Sequence, residues 1–216
     1  MSDRPPDRPS RPLDQLKAHL AEVADLENAA AVLTWDQETF MPEGGADARS
    51  RQLATLGRLA HEAFTRDEVG ALLDELAPQV EGEDPVRNDV ALVRVTRRDY
   101  ERARRVPSDL VARLAQAASE AKQAWKKARS SDDFDAFAPH LERLVGLNRE
   151  KADALGYGDG EAATPYDALL EEYEPGTRAA DIAPLFETLR DELVPLVEAI
   201  ANAAPVDDAC LRGAFP

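Results

Sequence analysis

Apolar residues recur at three- and four-residue steps through nearly the whole chain, and this spacing restricts it to a helical fold. Leu13, Leu16, Leu20, Val23 and Leu26 share one helix face, with Leu33 further on. The same period carries Leu53, Leu56, Leu59, Ala60 and Phe64, then Val69, Leu72, Leu73 and Leu76, then Val86, Val90, Val93 and Tyr100. A long stripe follows at Leu110, Leu114, Ala118, Ala121, Trp125 and Ala128, and another at Phe134, Phe137, Leu141, Leu144 and Leu147. The last one runs through Ile182, Leu185, Phe186, Leu189, Leu193, Leu196 and Ile200. No alternating apolar–polar run of strand length is present, and no repeat of fixed period. The expected fold is all-α, an antiparallel array of helices joined by short breaks. Trp35 and Trp125 are expected to be mostly buried, as large aromatics usually are.

Proline and glycine mark the breaks. Pro42-Glu43-Gly44-Gly45 ends the first helix, and a second spans about residues 46–63. Asp67 is expected to cap a third helix that closes at Pro78. Pro85, after an acidic loop, suits the start of a fourth. Val106-Pro107-Ser108 is a further break, and Ser131-Asp132-Asp133 supplies cap residues. Pro139 should sit near the start of the helix that follows, or kink it. Gly156-Tyr157-Gly158-Asp159-Gly160 is a turn, Tyr166–Leu170 a short helix, and Glu174-Pro175-Gly176 a stop. Pro195 lies inside the last helix. Residues 1–12, with Arg4, Arg8, Arg11 and four prolines, are expected to be a disordered tail, and 13–216 one helical domain.

Charge narrows the function. Against 26 Lys and Arg stand 42 Asp and Glu, a formal charge of −16. Such a surface repels phosphates, so neither nucleic acid nor membrane is an expected partner. Five arginines between Arg97 and Arg105 look like a nucleic-acid strip, but Asp99 and Glu101 interleave them, which describes a helix laced with ion pairs. No run of about 18 apolar residues exists, and the cytoplasm is the expected location. Cys210 is the one thiol, and Asp207 and Asp208 beside it disfavour the thiolate.

The residues that could do chemistry are scattered. His19, His61 and His140 lie far apart in sequence. His61-Glu62 opens like a His-Glu-x-x-His zinc helix, but the fifth position is Thr65, so the second imidazole is missing. Asp36 and Glu38 flank Gln37 and point about 200° apart on a helix, poorly placed to act as a pair. Asp36 is better read as satisfying a buried donor or capping a turn. Glu171, Glu172 and Glu174 beside Tyr166 and Tyr173 are best read as a solvated helix end. No nucleophile elbow and no phosphate loop is present.

One segment is more specific than any of these: Thr34-Trp35-Asp36-Gln37-Glu38-Thr39-Phe40-Met41-Pro42. It resembles the N-terminal signature of the Taq-type metallocarboxypeptidases, and further blocks continue the resemblance in order. They are Ala60-His61-Glu62, Tyr100-Glu101-Arg102-Ala103 with Val106-Pro107, Ala124-Trp125, Phe137-Ala138-Pro139-His140-Leu141, Pro165-Tyr166-Asp167-Ala168-Leu169-Leu170 and Tyr173-Glu174-Pro175-Gly176. Thr177 stands where methionine is usual. The resemblance implies the N-terminal helical part of a zincin-like carboxypeptidase, the wall and lid of a groove from which C-terminal residues of peptides are removed. It also implies a divalent metal, zinc or cobalt, on a His-Glu-x-x-His helix that has no counterpart here. No catalytic, cofactor-binding or metal residue of the family maps onto this sequence, and the chain alone is expected to be inactive. The alternative reading is a non-catalytic helical scaffold derived from that family. Peptide would be a partner only in the full-length context, and exposed apolar helix faces would favour a homodimer or other self-association.

Overall fold

The computed structural model describes residues 11–157, 163–204 and 211–213. Most of the expected tail, Cys210 and the centre of the 156–160 turn lie outside those residues. The described residues are helical with no strand among them, as the periodicity requires. Where the sequence drew one domain over 13–216, the chain divides into two compact units, Met1–Gly156 and Tyr157–Pro216.

The first unit holds six helices: α1 (Pro12–Thr39), α2 (Ala46–Phe64), α3 (Asp67–Val80), α4 (Asn88–Ala103), α5 (Ser108–Ser131) and α6 (Phe134–Leu155), with a short 3₁₀ turn at Glu43–Gly45. Three sequential pairs, α1/α2, α3/α4 and α5/α6, are neighbours in space. The pairs are joined through contacts of α2 with α5 and of α1 with α3. The core cluster lies where α1, α3 and α4 meet: Leu16, Val69, Leu72, Leu73, Leu76, Val93 and Tyr100.

Helix ends follow local chemistry, with some departures from expectation. Pro12 belongs to α1 rather than to the tail, because its missing N–H costs nothing in a first turn. Asp67 is the first residue of α3, not its cap, and its carboxylate lies 3.1 Å from Arg104. Pro78 sits inside α3, which continues to Val80, since a proline so near the end removes only one ladder bond. Pro85 does not open α4. Asp84 instead accepts from the Val86 and Arg87 backbone N–H groups in a turn, α4 starts at Asn88, and Val86 is left exposed. Asp133 caps α6 as expected, accepting the Ala136 N–H at 3.1 Å, and Pro139 lies within that helix. Gly156, at φ +72°, ends it in a conformation that costs glycine nothing.

The tryptophans correct the sequence reading. Trp35 is 57% exposed and Trp125 48%. On α5 the buried line is Leu110, Ala117, Ala121 and Ala128, rotated from the stripe that would have included Ala118 and Trp125. The reason is small-residue contact with α2. A Cβ placed on Gly57 would lie only 3.6 Å from the Ala115 methyl and 3.9 Å from Val111, so the two helices approach closely at this glycine. That spacing leaves no room for an indole between them.

The second unit contains α7 (Pro165–Leu170) and α8 (Ala179–Ala201), which contact each other. Both Pro184 and Pro195 lie inside α8, and none of its residues is buried.

Tyr100 shows how tightly the core is cut. Its hydroxyl donates to the Arg66 carbonyl at 3.1 Å, and its ring meets Phe64 edge-on. A Cβ on Gly70 would collide with that hydroxyl and ring. Gly70→Ala should therefore lose about 1–2 kcal/mol in chemical denaturation, because overpacking outweighs the roughly 1 kcal/mol of helix propensity gained. Tyr100→Phe in the same background should recover part of that loss.

Candidate functional site

The signature segment forms the C-terminal turns of α1 and the exit toward α2, and its side chains are parcelled out among three helices. The Arg49 guanidinium on α2 donates to the Asp36 carboxylate at 2.6 Å and also to the Leu33 carbonyl, spanning the end of α1. The Phe40 and Met41 N–H groups both close on the Asp36 carbonyl, and Pro42 then prevents further helix. Asp36 thus satisfies a partly buried donor, as the sequence suggested.

Gln37 is the feature the sequence reading missed. It is 5% exposed, its amide accepts from the Ser119 hydroxyl at 3.1 Å, and its Nε2 lies 3.4 Å from the Ser119 carbonyl. Two buried polar groups on α1 and α5 satisfy each other, which removes the cost of burying either. A clue was present in the seven-residue period: Leu16, Val23 and Gln37 lie at multiples of seven, and all three are buried.

Glu38 points to a different partner set. Its carboxylate receives Lys122 at 2.6 Å and Lys126 at 2.9 Å, both from α5. The Lys122 hydrogen bond, then that of Lys126, holds its pKa below the usual glutamate value. Glu38 therefore remains an anion at neutral pH and has no proton to donate. A cavity of about 350 Å³ opens beside it, lined by Gln37, Thr39, Met41, Gln123, Lys126 and Lys127 among others. Trp35 and Phe40 make an edge-on pair with centroids 5.5 Å apart, both largely exposed. The segment thus joins helices on one side and presents aromatic surface on the other.

The histidines do not assemble. His19 is on α1, His61 on α2 and His140 on α6. Burial depresses the His61 pKa, while the Val106 backbone and the Glu62 carboxylate push it upward. Glu62 is held instead by Arg58 at 2.8 Å. Among the described residues no group of three or more His, Cys, Asp or Glu could hold a metal ion. A catalytic zinc needs about three such ligands converging, so the described residues do not fit the metal the resemblance implies.

In the second unit the acidic–aromatic cluster resolves into caps. Glu171 accepts from the Gly176 N–H at 2.8 Å, and Tyr166 and Tyr173 are exposed. Asp167 accepts from Thr164 through backbone N–H and hydroxyl, and from the Ala179 N–H at 2.7 Å, binding the start of α7 to the start of α8. The Ala179 and Thr164 N–H groups hold its pKa down. Thr164-Pro165-Tyr166-Asp167, a capping-box spacing with proline at the first helical position, was the available signal.

Comparison with known proteins accounts for this arrangement. The carboxypeptidase Taq (M32) metallopeptidase profile matches residues 15–216. The chain belongs to that family. Thermostable carboxypeptidase 1 of Thermus thermophilus is 38% identical over 195 residues, which is 88% of this chain and 38% of that protein. Among solved structures, BsuCP superposes with a TM-score of 0.80 at 25% identity, covering 89% of this chain and 38% of that one. The carboxypeptidase of Pyrococcus furiosus superposes at 0.69 with 32% identity, covering 90% and 38%. This M32 chain therefore spans about 38% of the length of the relatives it matches.

Two measurements follow from the geometry. Asp36→Ala removes the carboxylate partner of the Arg49 guanidinium, whose side chain is only 12% exposed, and should cost about 1–2 kcal/mol in urea unfolding. For His61, folding opposes the proton. Above its ordinary value of 6.5 the imidazole is neutral in both states and carries no penalty. As pH falls below 6.5 the unfolded chain binds the proton first, so stability declines. The depressed carboxylates Glu38, Glu150 and Asp167 contribute only near and below their own ordinary values of 4.5 and 3.8, leaving the window from about pH 6.5 to 5 to histidine. The unfolding free energy should fall with pH across that window, and His61→Gln should flatten the slope.

Proposed function

We propose that this chain supplies the N-terminal helical wall and lid of a metal-dependent carboxypeptidase that removes C-terminal residues from peptides in the cytoplasm. One observation carries the reading: residues 15–216 match an M32 metallopeptidase profile, while the chain spans 38% of the relatives' length. The metal, zinc or cobalt, would be held by residues outside this chain. That assignment agrees with the chemistry of the described side chains. Asp36 and Glu38 are committed to Arg49 and to two lysines, and the histidines are dispersed. The chain's own contribution is shape: α1, α2 and α5 held in register by the signature segment, with Trp35 and Phe40 left facing outward. No helix among the described residues is long and apolar enough to cross a membrane.

The purified chain, supplied with zinc or cobalt, should release no C-terminal amino acid from an N-blocked dipeptide. Metal-dependent turnover by the chain alone, abolished by His61→Ala or His140→Ala, would overturn the assignment.

A further inference from the structure

The turn between α5 and α6 gathers aromatic rings and carboxylates around one cavity. It has a volume of about 190 Å³ and is lined by Trp125, Phe134 and Phe137 together with Arg129, Asp132 and Asp133. Trp125 and Phe134 are both exposed, so each leaves apolar ring surface in water. Phe134 meets Phe137 edge-on, with centroids 6.4 Å apart and planes at 70°. The backbone beneath them is held by hydrogen bonds. The N–H groups of Asp132 and Asp133 both close on the Ala128 carbonyl, and the Asp133 carboxylate accepts the Ala136 N–H. Arg129 reaches the Asp132 carboxylate at 3.3 Å, with the two side chains 71% and 91% exposed. An ion pair so open to solvent contributes little and exchanges partners readily.

We propose that this cavity binds a quaternary ammonium group, of the choline or trimethyl-lysine class. The face of an aromatic ring carries negative charge density and attracts a cation placed over it. Three rings beside two carboxylates therefore favour a cation over a neutral apolar group, and the formal charge of −16 raises the local concentration of cations. One oxygen of each carboxylate is already engaged, Asp133 by the Ala136 N–H and Asp132 by Arg129. Charge and ring surface are what the site has to offer. They suit a methylated ammonium, which has no N–H to donate, better than a primary amine. The cavity is smaller than the roughly 300 Å³ at which sites for drug-sized ligands begin, so it takes the head group alone. Arg129 is the opposing charge in the lining, and Asp132 draws it off.

The test titrates the full chain with choline at constant ionic strength and follows the two indole N–H signals by NMR, assigned with Trp125→Phe. The Trp125 signal should shift and saturate. Trp35, also exposed, lies away from the cavity and should stay in place as an internal control. The neutral carbon analogue of choline, 3,3-dimethyl-1-butanol, should bind about tenfold more weakly or worse, because it fills the same space without the charge. Phe134→Leu should weaken choline binding about tenfold, with the fold checked by circular dichroism. Arg129→Ala should strengthen it about two- to threefold by removing the competing cation, a gain that a purely structural role would not produce. A trimethyl-lysine peptide set against its unmethylated form identifies the source: a shift from the methylated peptide at lower concentration than from choline assigns the site to modified protein, and the reverse order assigns it to a small molecule. No saturable shift at Trp125 overturns the proposal. So do equal shifts at Trp35 and Trp125, equal binding of the neutral analogue, or choline binding that survives Phe134→Leu unchanged.

Discussion

The seven-residue seam of α1 is the constraint on which the first unit depends. Leu16 packs the N-terminal end of the helix into the apolar cluster with α3 and α4. Val23, one heptad on, is buried as well. Two heptads further, Gln37 closes the seam against Ser119 of α5 with hydrogen bonds instead of methyl groups. One helix thereby touches both halves of the array, apolar at one end and polar at the other. The polar end is the more discriminating. Leucine in place of Gln37 would leave the Ser119 hydroxyl without its acceptor, and a shift of α5 by one residue would bring Ala118 or Glu120 opposite the amide in place of Ser119. The signature segment is thus a registration device as much as a surface.

Legibility in the sequence divided along the same line. The apolar cluster was readable because Val69, Leu72, Leu73, Leu76, Val93 and Tyr100 follow the helical period, and helix positions followed from proline, glycine and caps. The buried face of α5 was misread because it is built largely from Ala117, Ala121 and Ala128, and because α2 approaches α5 at Gly57. Small residues carry little hydrophobic weight in a periodicity argument, so Trp125 attracted the stripe to itself. Gln37 was missed for the opposite reason, since a buried amide has no signature until its partner is known. Asp36 was legible as a buried-donor partner, although nothing in the spacing identified Arg49 as the donor. The separation of Asp36 and Glu38 held, because 200° of helix rotation sends them to different neighbours.

The distribution of charge explains why so acidic a chain offers so little acid–base chemistry. Three of its carboxylates are occupied in ways that fix them as anions: Glu38 between two lysines, Glu150 with Arg113, Asp167 among backbone N–H groups. In each case the pKa moves down, away from the range where a general acid or base works. A catalytic carboxyl needs the opposite environment, burial without a compensating cation. Burial is the leading influence on His61, and Glu62 beside it is engaged by Arg58. The arginine-rich α4 follows the same logic, with Arg97 shared between Asp74 and Glu101.

What distinguishes the two units is whether each amphipathic face has found its counterpart. In Met1–Gly156 the exposed large apolar side chains are spread over several elements, from Val32, Trp35 and Phe40 through Leu59, Val86 and Val95 to Trp125, Phe134, Leu141 and Val145. In α8 the exposed residues form a continuous stripe along the helix, and a stripe is the form a face takes when another helix or sheet is meant to lie on it. The caps make the contrast sharper. Asp167 spends three hydrogen bonds fixing the start of α7 to the start of α8, which sets the direction in which an otherwise unsupported helix projects. The start of α8 is therefore fixed by hydrogen bonds to Asp167, while its apolar residues stay exposed.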